Sequence, residues 1–273
     1  MVGFTLKGQK ALVTGSTKGI GLGIARVLAG YGCDVVVNGS RDANTAADVM
    51  AQLTKEFPQQ KFFYAQANLQ DPKAAAQLVH TANKLLNGLN IVVNNAGVQH
   101  VNPIEKFPLE QWNRLIAINL TAPFVIMKET VALWKKAAAT NKTRASGRIV
   151  NISSVHGVVA SKNKAAYIAA KHGLNGLMKV VALETAADTD ITVNSICPGW
   201  VDTPLVRKQI IAMSKERSIS EDEAIIQLVS EKQPRAKFTS VEQVGEYTAF
   251  LCSPYGANIT GAMQIIDGGW STK

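Results

Sequence analysis

The chain has 273 residues, 47% of them apolar and 18% charged, with a mean hydropathy near zero. That balance excludes a disordered or fibrous polymer and suffices for one large core, and since a single core stops growing at about 250–300 residues, one domain over 1–273 is expected. The net charge of +9 favours anionic partners. No apolar run approaches the roughly 18 residues of a membrane span. The N-terminus reaches Lys7 and Lys10 without a secretory pattern, so a cytoplasmic protein without membrane partners is expected.

Apolar, β-rich runs alternate with helical patterns from end to end. Strand 10–13 precedes a helix over 19–31, strand 34–38 a helix over 44–56, and strand 61–66 a helix over 73–86. Strand 91–93, a helix over 109–136, strand 148–152, a helix over 165–185, strand 191–196, a helix over 242–252 and strand 263–266 follow. Strict alternation of this kind means crossover connections and a parallel sheet covered on both faces. The runs Val35-Val36-Val37 and Ile91-Val92-Val93 do not alternate in polarity, as strands buried on both faces should not. The expectation is an α/β fold: a Rossmann-type, doubly wound parallel sheet of about seven strands. Segment 203–237 interrupts this order with many charges, Arg207, Lys208, Lys215, Glu216 and Arg217 among them, on an amphipathic helical pattern. It reads as a helical lid over a site, or as an exposed excursion that does not move.

Cys33, Cys197 and Cys252 form no CxxC pair and sit among apolar neighbours, so buried reduced thiols and no metal site are expected. Five cations between Lys135 and Arg148 lack interleaved aromatics and a reading helix, which favours a solvated loop over a nucleic-acid surface. The excess positive charge is better used around a site for small anions.

Directly after the first strand stands Thr14-Gly15-Ser16-Thr17-Lys18-Gly19-Ile20-Gly21, running into a helix. Gly15 permits a tight turn, Gly19 a close approach of backbone to ligand, and Gly21 close packing of helix on strand. Free N–H groups at the helix start would then face a pyrophosphate. Its GxxxGxG spacing, with Asn94-Asn95-Ala96-Gly97, Ser154, Tyr167-Ile168-Ala169-Ala170-Lys171 and Pro198-Gly199 following in order, resembles the short-chain dehydrogenase/reductase family from about Leu6 to the C-terminus. The resemblance implies Asn119, Ser154, Tyr167 and Lys171 as catalytic residues. It implies a nicotinamide dinucleotide held by Gly15, Thr17, Gly19, Ile20, Gly21, Ser40, Asn68, Leu69, Asn95, Ala96, Gly97, Pro198, Gly199, Val201 and Thr203, with Tyr167 and Lys171.

Tyr167 and Lys171 stand four apart and share a helix face. Moving a phenol from pKa about 10 to about 7 takes roughly 4 kcal/mol. A cation about 4 Å away at an effective dielectric of about 20 supplies that amount, with an oxidised nicotinamide adding more, so Lys171 is expected to acidify Tyr167 into a general base. Ser154 would hold the substrate oxygen as charge develops on it, with Ser153 as the rival. Asn119 lies in an apolar helical stretch four residues before Pro123, which has no N–H; its freed carbonyl can hold a water leading to Lys171.

Lys164, Tyr167 and Lys171 form one stripe, and a lysine at a helix start opposes the macrodipole, a local rule broken beside a reactive group. Gln99, His156 and Gln209 can complete an anion site with it. These positions, with 171–173, 197–201 and 230–234, resemble the D-3-hydroxybutyrate dehydrogenase branch of the family. That resemblance implies a small 3-hydroxy or 3-oxo acid bound by Gln99, Ser154, His156, Lys164, Tyr167 and Gln209, with Trp200 and Trp270 bordering its alkyl end, and a homotetramer. Trp270 could instead serve an interface. The alternatives are an NADPH-dependent 3-oxoacyl or other carbonyl reductase and a catalytically silent nucleotide-binding subunit. No acid ends the second strand to hold a ribose 2′-OH, and Lys18 and Arg41 would suit a 2′-phosphate. The resemblance nevertheless implies NAD, with NADP the alternative. Asp202 has no role on the sequence alone.

Overall fold

The structure, a computed structural model, describes residues 3–272 apart from the side chains of Leu205 and Lys208. Lys208, one of the charges expected on the lid, therefore lies outside the described residues.

Strands β1 (Lys10–Val13), β2 (Asp34–Gly39) and β3 (Phe62–Gln66) are joined by α1 (Gly19–Gly30) and α2 (Ala43–Glu56). α3 (Pro72–Leu86) then returns the chain to β4 (Ile91–Asn94) on the other side of β1. β5 (Ser146–Ile152), β6 (Asp190–Pro198) and β7 (Met263–Ile266) extend that side, giving the order β3-β2-β1-β4-β5-β6-β7 with every pair parallel. The expected seven-stranded sheet is thus met, and the reversal of winding between β1 and β4 opens a crevice at the strands' C-terminal ends, where ligands bind in such sheets. Local chemistry sets the ends of the helices. Asp42 caps α2 through the Thr45 N–H at 3.0 Å, Asp71 caps α3 before Pro72, and α3 stops at Asn87 in the left-handed region.

Two apolar layers hold helices on either face. α3, α5 (Ala122–Asn141) and α6 (Ala165–Ala186) pack on one, α1 and α9 (Val241–Cys252) on the other. The helix expected over 109–136 is divided: α4 (Leu109–Ile116), a π-turn at Ala117–Thr121, then α5. Pro123 removes the N–H that would close the α-helical ladder onto Asn119, and the wider turn absorbs the defect. By length and mean hydropathy alone Leu109–Asn141 could cross a membrane, a test that the core helix of a folded protein also passes. Its apolar stripe is instead committed to the core: Ile126 and Met127 are buried, and Trp134 donates its indole N–H to the Leu89 carbonyl at 2.6 Å. Each such side chain gains about 1.5–3 kcal/mol from burial.

Segment 203–237 forms α7 (Pro204–Arg217) and α8 (Glu221–Ser230), which share a small core of Val206, Ile210, Ala224 and Leu228. A capping box of Ser220 with Glu223 starts α8.

Candidate active site

The glycine turn is shaped by neighbours on three strands. Gly15 takes φ +60 and Gly19 φ +56, conformations that favour glycine. Asn38 on β2 accepts the Gly15 N–H at 3.1 Å and donates to the Ala65 carbonyl at 2.9 Å. Thr14 Oγ1 accepts from the N–H groups of Asn95 and Ala96 at 2.9 and 3.0 Å, and the Asn95 amide donates to the carbonyls of Thr14 and Gly15. Asn95 thus braces the turn with its amide nitrogen, and Thr14 and Asn38 share that work although sequence reasoning passed over both. Their only signal was a polar residue at the end of a buried strand.

α1 begins without a side-chain cap, so its first N–H groups lack intrahelical partners. A Cβ on Gly19 would meet only Thr203, at 3.7 and 3.8 Å, whereas one on Gly21 would collide with Asn95 and with Gly15. Backbone is therefore open where a diphosphate would lie and closed where helix meets strand, an arrangement that fits a dinucleotide. Thr17 and Ile20 flank this opening. Past β2, Ser40 and Arg41 are exposed, as is Lys18 at the start of α1. A Cβ on Gly39 would sit 2.8 Å from the Tyr64 hydroxyl and 3.1 Å from Thr17. Tyr64 thus occupies the space that an acidic side chain at the end of β2 would need. After β3, Leu69 is buried, while Asn68 is exposed and accepts the Gln70 N–H at 3.1 Å, which leaves one lone pair of its oxygen.

A cavity of about 120 Å³ lies beyond this turn, at the C-terminal ends of β4, β5 and β6. All eight residues expected to meet a substrate line it: Gln99, Ser154, His156, Lys164, Tyr167, Trp200, Gln209 and Trp270. Ile20, Pro198, Gly199, Val201 and Thr203, from the expected dinucleotide set, border the same space. Ala96 and Gly97 lie close by, Ala96 against Gly15 and Gly97 facing Asn119 and Lys171.

Asn119 sits on the π-turn, fully buried, with its amide paired twice to Val98, accepting at 2.9 Å and donating at 2.8 Å. The desolvation of that amide is thereby offset, while Pro123, four residues on, has no N–H to give its main-chain carbonyl. Ser153 directs its hydroxyl to the Lys171 carbonyl at 3.4 Å, and Ser154 accepts the His156 N–H at 3.1 Å. Of the two serines, which line the cavity together with Tyr167, Ser154 is the one that pulls the phenol's pKa down.

Lys171 lies beside the Tyr167 ring. Its Nζ donates to the Ile152 carbonyl at 2.7 Å and lies 5.7 Å from the centre of the Tyr167 ring. Burial pushes Tyr167 above the ordinary tyrosine value, a shift the Ser154 hydrogen bond opposes without reversing it. Burial also pushes Lys171 down to about 8. In the chain by itself, with no nicotinamide present, desolvation is the larger influence on the Tyr167 phenol, and the Lys171 ammonium is engaged by the Ile152 carbonyl.

The substrate end is cationic and narrow. Lys164, at the start of α6, holds its ammonium 5.4 Å from the centre of the Trp200 ring. Burial and then Lys232 lower its pKa. His156 is pushed down to about 4 by burial, with Lys164, His172 and Lys232 adding to it. At neutral pH it is a hydrogen-bonding ring, paired with Ser161 at 2.9 Å, and not a cation. Trp270 is buried and packs edge-on to His156 at 5.1 Å and against Trp200 at 5.6 Å. It is part of the cavity wall rather than an exposed contact residue.

Lys232 and Asn175 escaped the sequence reading. Lys232, paired with Glu231 at 2.9 Å, adds positive potential to the end of the site where Lys164 stands. Asn175 continues the Lys164–Tyr167–Lys171 stripe by one turn and donates to the Gly157 carbonyl at 3.0 Å, tying the turn after Ser154 to α6. Asp202 also acquires a role: its carboxylate grips Arg207 at 2.8 and 2.6 Å and fastens the first turn of α7.

Comparison with known proteins agrees with this geometry. A short chain dehydrogenase family model matches residues 9–213. The D-beta-hydroxybutyrate dehydrogenase of Cupriavidus necator is 44% identical over 265 residues, covering 97% of this chain and 98% of that protein. The protein of the same name from Rhizobium meliloti is 43% identical over 268 residues, covering 97% and 99%. For the fold alone, L-sorbose reductase from Gluconobacter frateurii, solved in complex with NADPH and L-sorbose, superimposes with a TM-score of 0.90 over 99% of both chains at 24% identity. A glycine turn open to a diphosphate, a serine just past β5 with a tyrosine on α6, and these full-length similarities place the chain in the short-chain dehydrogenase/reductase family, as an oxidoreductase.

Proposed function

We propose that the protein is an NAD-dependent D-3-hydroxybutyrate dehydrogenase that interconverts 3-hydroxybutyrate and acetoacetate. The observation that carries this reading is the joining of Lys164, Gln99 and Gln209 with Tyr167 and Ser154 around one cavity of about 120 Å³. An ammonium and two amides suit a carboxylate. The Trp200 and Trp270 rings leave room for a short alkyl group and obstruct a long acyl chain. His156, neutral, contributes a hydrogen bond.

In this reading the substrate hydroxyl rests between Ser154 and Tyr167. Tyr167 takes its proton, and Ser154 donates to the oxygen as it becomes a carbonyl. Lys171, held by the Ile152 carbonyl, and a water on the Asn119 carbonyl pass the proton outward. A bound oxidised nicotinamide would supply the hydride acceptor, and its positive charge would add to that of Lys171 in favouring the tyrosinate. Gly15, Thr17, Gly19, Ile20, Gly21, Asn68, Leu69 and the 95–97 loop hold the dinucleotide. NAD follows the family resemblance set out above; Lys18 and Arg41, both exposed, would be the residues for a 2′-phosphate.

The chain acts as one domain, with α7 and α8 as a lid. Exposed Phe124, Val180 and Leu183 on α5 and α6, with Met263 and Ile265 on the edge strand β7, support a homotetramer through these faces. Buried Cys33, Cys197 and Cys252 suit a reducing, cytoplasmic setting. Purified protein with NAD and D-3-hydroxybutyrate should produce reduced nicotinamide, whereas turnover confined to NADPH with bulky ketones or 3-oxoacyl substrates would overturn the reading.

A further inference from the structure

The side chain of Gln233 has no exposed surface and lies outside the cavity, just beyond α8. Its Oε1 accepts the main-chain N–H of Trp200, and its Nε2 donates to the Lys237 carbonyl at 2.7 Å. The Trp200 carbonyl is held separately, by the Thr239 N–H at 2.9 Å. On its other side Gln233 presses on two glycines. A Cβ on Gly199 would collide with its Oε1, and one on Gly268 would lie 3.0 Å from its Nε2. Arg235, two residues on, donates its N–H to the Gly268 carbonyl at 3.2 Å. Gly199 immediately precedes Trp200, and Gly268 and Gly269 precede Trp270. One buried amide thus wedges between the two turns that carry both indole rings, and those rings form a wall of the cavity, with Trp200 next to the Lys164 ammonium.

We propose that Gln233 is the positioning residue that sets the depth of this cavity and hence the chain length of the acid it admits. The proposal rests on the short hydroxy-acid reading given above. A buried amide with both ends satisfied has one stable orientation, because turning it would leave donors and acceptors without partners at about 1–3 kcal/mol each. The Trp200 main chain is therefore fixed at both its N–H and its carbonyl, and the turn that carries the ring cannot shift without breaking those bonds. Were the Trp200 N–H released, the turn could slide away from Trp270 and open room for added methylenes.

The test compares four-carbon and six-carbon 3-hydroxy acids in wild type and in Gln233→Met, which keeps the length of the side chain and removes both hydrogen bonds. The ratio of kcat/KM for the short acid over the long one is expected to fall about tenfold, the scale of one or two methylenes in a pocket, while KM for the dinucleotide stays put. Gln233→Glu restores the pattern when its carboxyl is protonated, since it then accepts and donates as the amide does. Its selectivity should be that of wild type at mildly acidic pH and fall at alkaline pH. Unchanged selectivity in folded Gln233→Met would overturn the proposal. Amide hydrogen exchange in the wild-type protein decides the matter even if neither variant folds: the Trp200 N–H is expected to be strongly protected, and exchange at the rate of an open loop would overturn it. Failure of wild type to oxidise D-3-hydroxybutyrate would count against the substrate reading and leave the exchange result untouched.

Discussion

Lys171 and Tyr167, one turn apart on α6, face each other across 5.7 Å from ammonium to ring centre, with the ammonium bound to the Ile152 carbonyl at 2.7 Å. Burial moves the two in opposite senses, the phenol up and the amine down to about 8, so each tends toward its neutral form. Removing the phenol alone isolates its part. Tyr167→Phe is expected to lower kcat by about 10³-fold with the dinucleotide still bound, as read by steady-state rates and quenching of tryptophan fluorescence. A variant retaining wild-type kcat would remove Tyr167 from the chemistry.

The same burial makes stability depend on alkali. Lys171 has its folded pKa depressed to about 8 from 10.5. Between those values the unfolded chain binds a proton that the folded one does not, so stability attributable to this group increases as pH rises through that window. Urea midpoints of wild type and Lys171→Met across it should converge toward high pH, and parallel curves would contradict the buried position of the amine.

His156 should behave likewise on the acid side. Its folded pKa lies near 4 against 6.5 unfolded, so its contribution is full above 6.5 and is lost as pH falls toward about 4. His156→Asn is expected to flatten the acid limb of a urea-midpoint profile. An unaltered limb would mean that the ring is solvated.

Lys164→Ala is expected to raise KM for the hydroxy acid by about 10–100-fold, the worth of a charge-assisted hydrogen bond, with little change in KM for the dinucleotide. Equal effects on both constants would argue against a carboxylate anchor. Lys232→Ala should produce the same effect in weaker form, because its ammonium is half-exposed and paired with Glu231.

Arg207→Gln separates packing from function. Both partners in the Arg207–Asp202 pair are substantially exposed, so stability should change by less than about 1 kcal/mol. Loosening the first turn of α7, which carries Gln209, should nevertheless raise KM for the acid. A variant with altered melting and unaltered KM would reduce the pair to surface decoration.

Asn119→Leu should cost about 2–4 kcal/mol in urea unfolding, since both Val98 main-chain groups lose their partner inside the protein. A smaller loss would place water at that turn.

The parallel sheet, its strand boundaries and the glycine turn were legible from the sequence because they follow from local rules. Unbroken runs such as Val35-Val36-Val37 can be buried only between two layers, and a turn with Gly15 and Gly19 at positive φ can be built cheaply only from glycine. The grouping of Gln99, His156, Lys164 and Gln209 was legible through likeness to a family, and the Lys164–Tyr167–Lys171 stripe through helical periodicity. Tertiary structure alone decided the rest. Whether a phenol is acidic depends on the distance and partners of its nearest cation and on how much water is excluded, none of which a four-residue spacing contains. The division of 109–141 by a π-turn, the pairing of Asp202 with Arg207 and the meeting of Gln233 with Trp200 likewise required the folded chain. Each joins groups whose interaction energy depends on three-dimensional separation and burial, and in the last case those groups stand 33 residues apart.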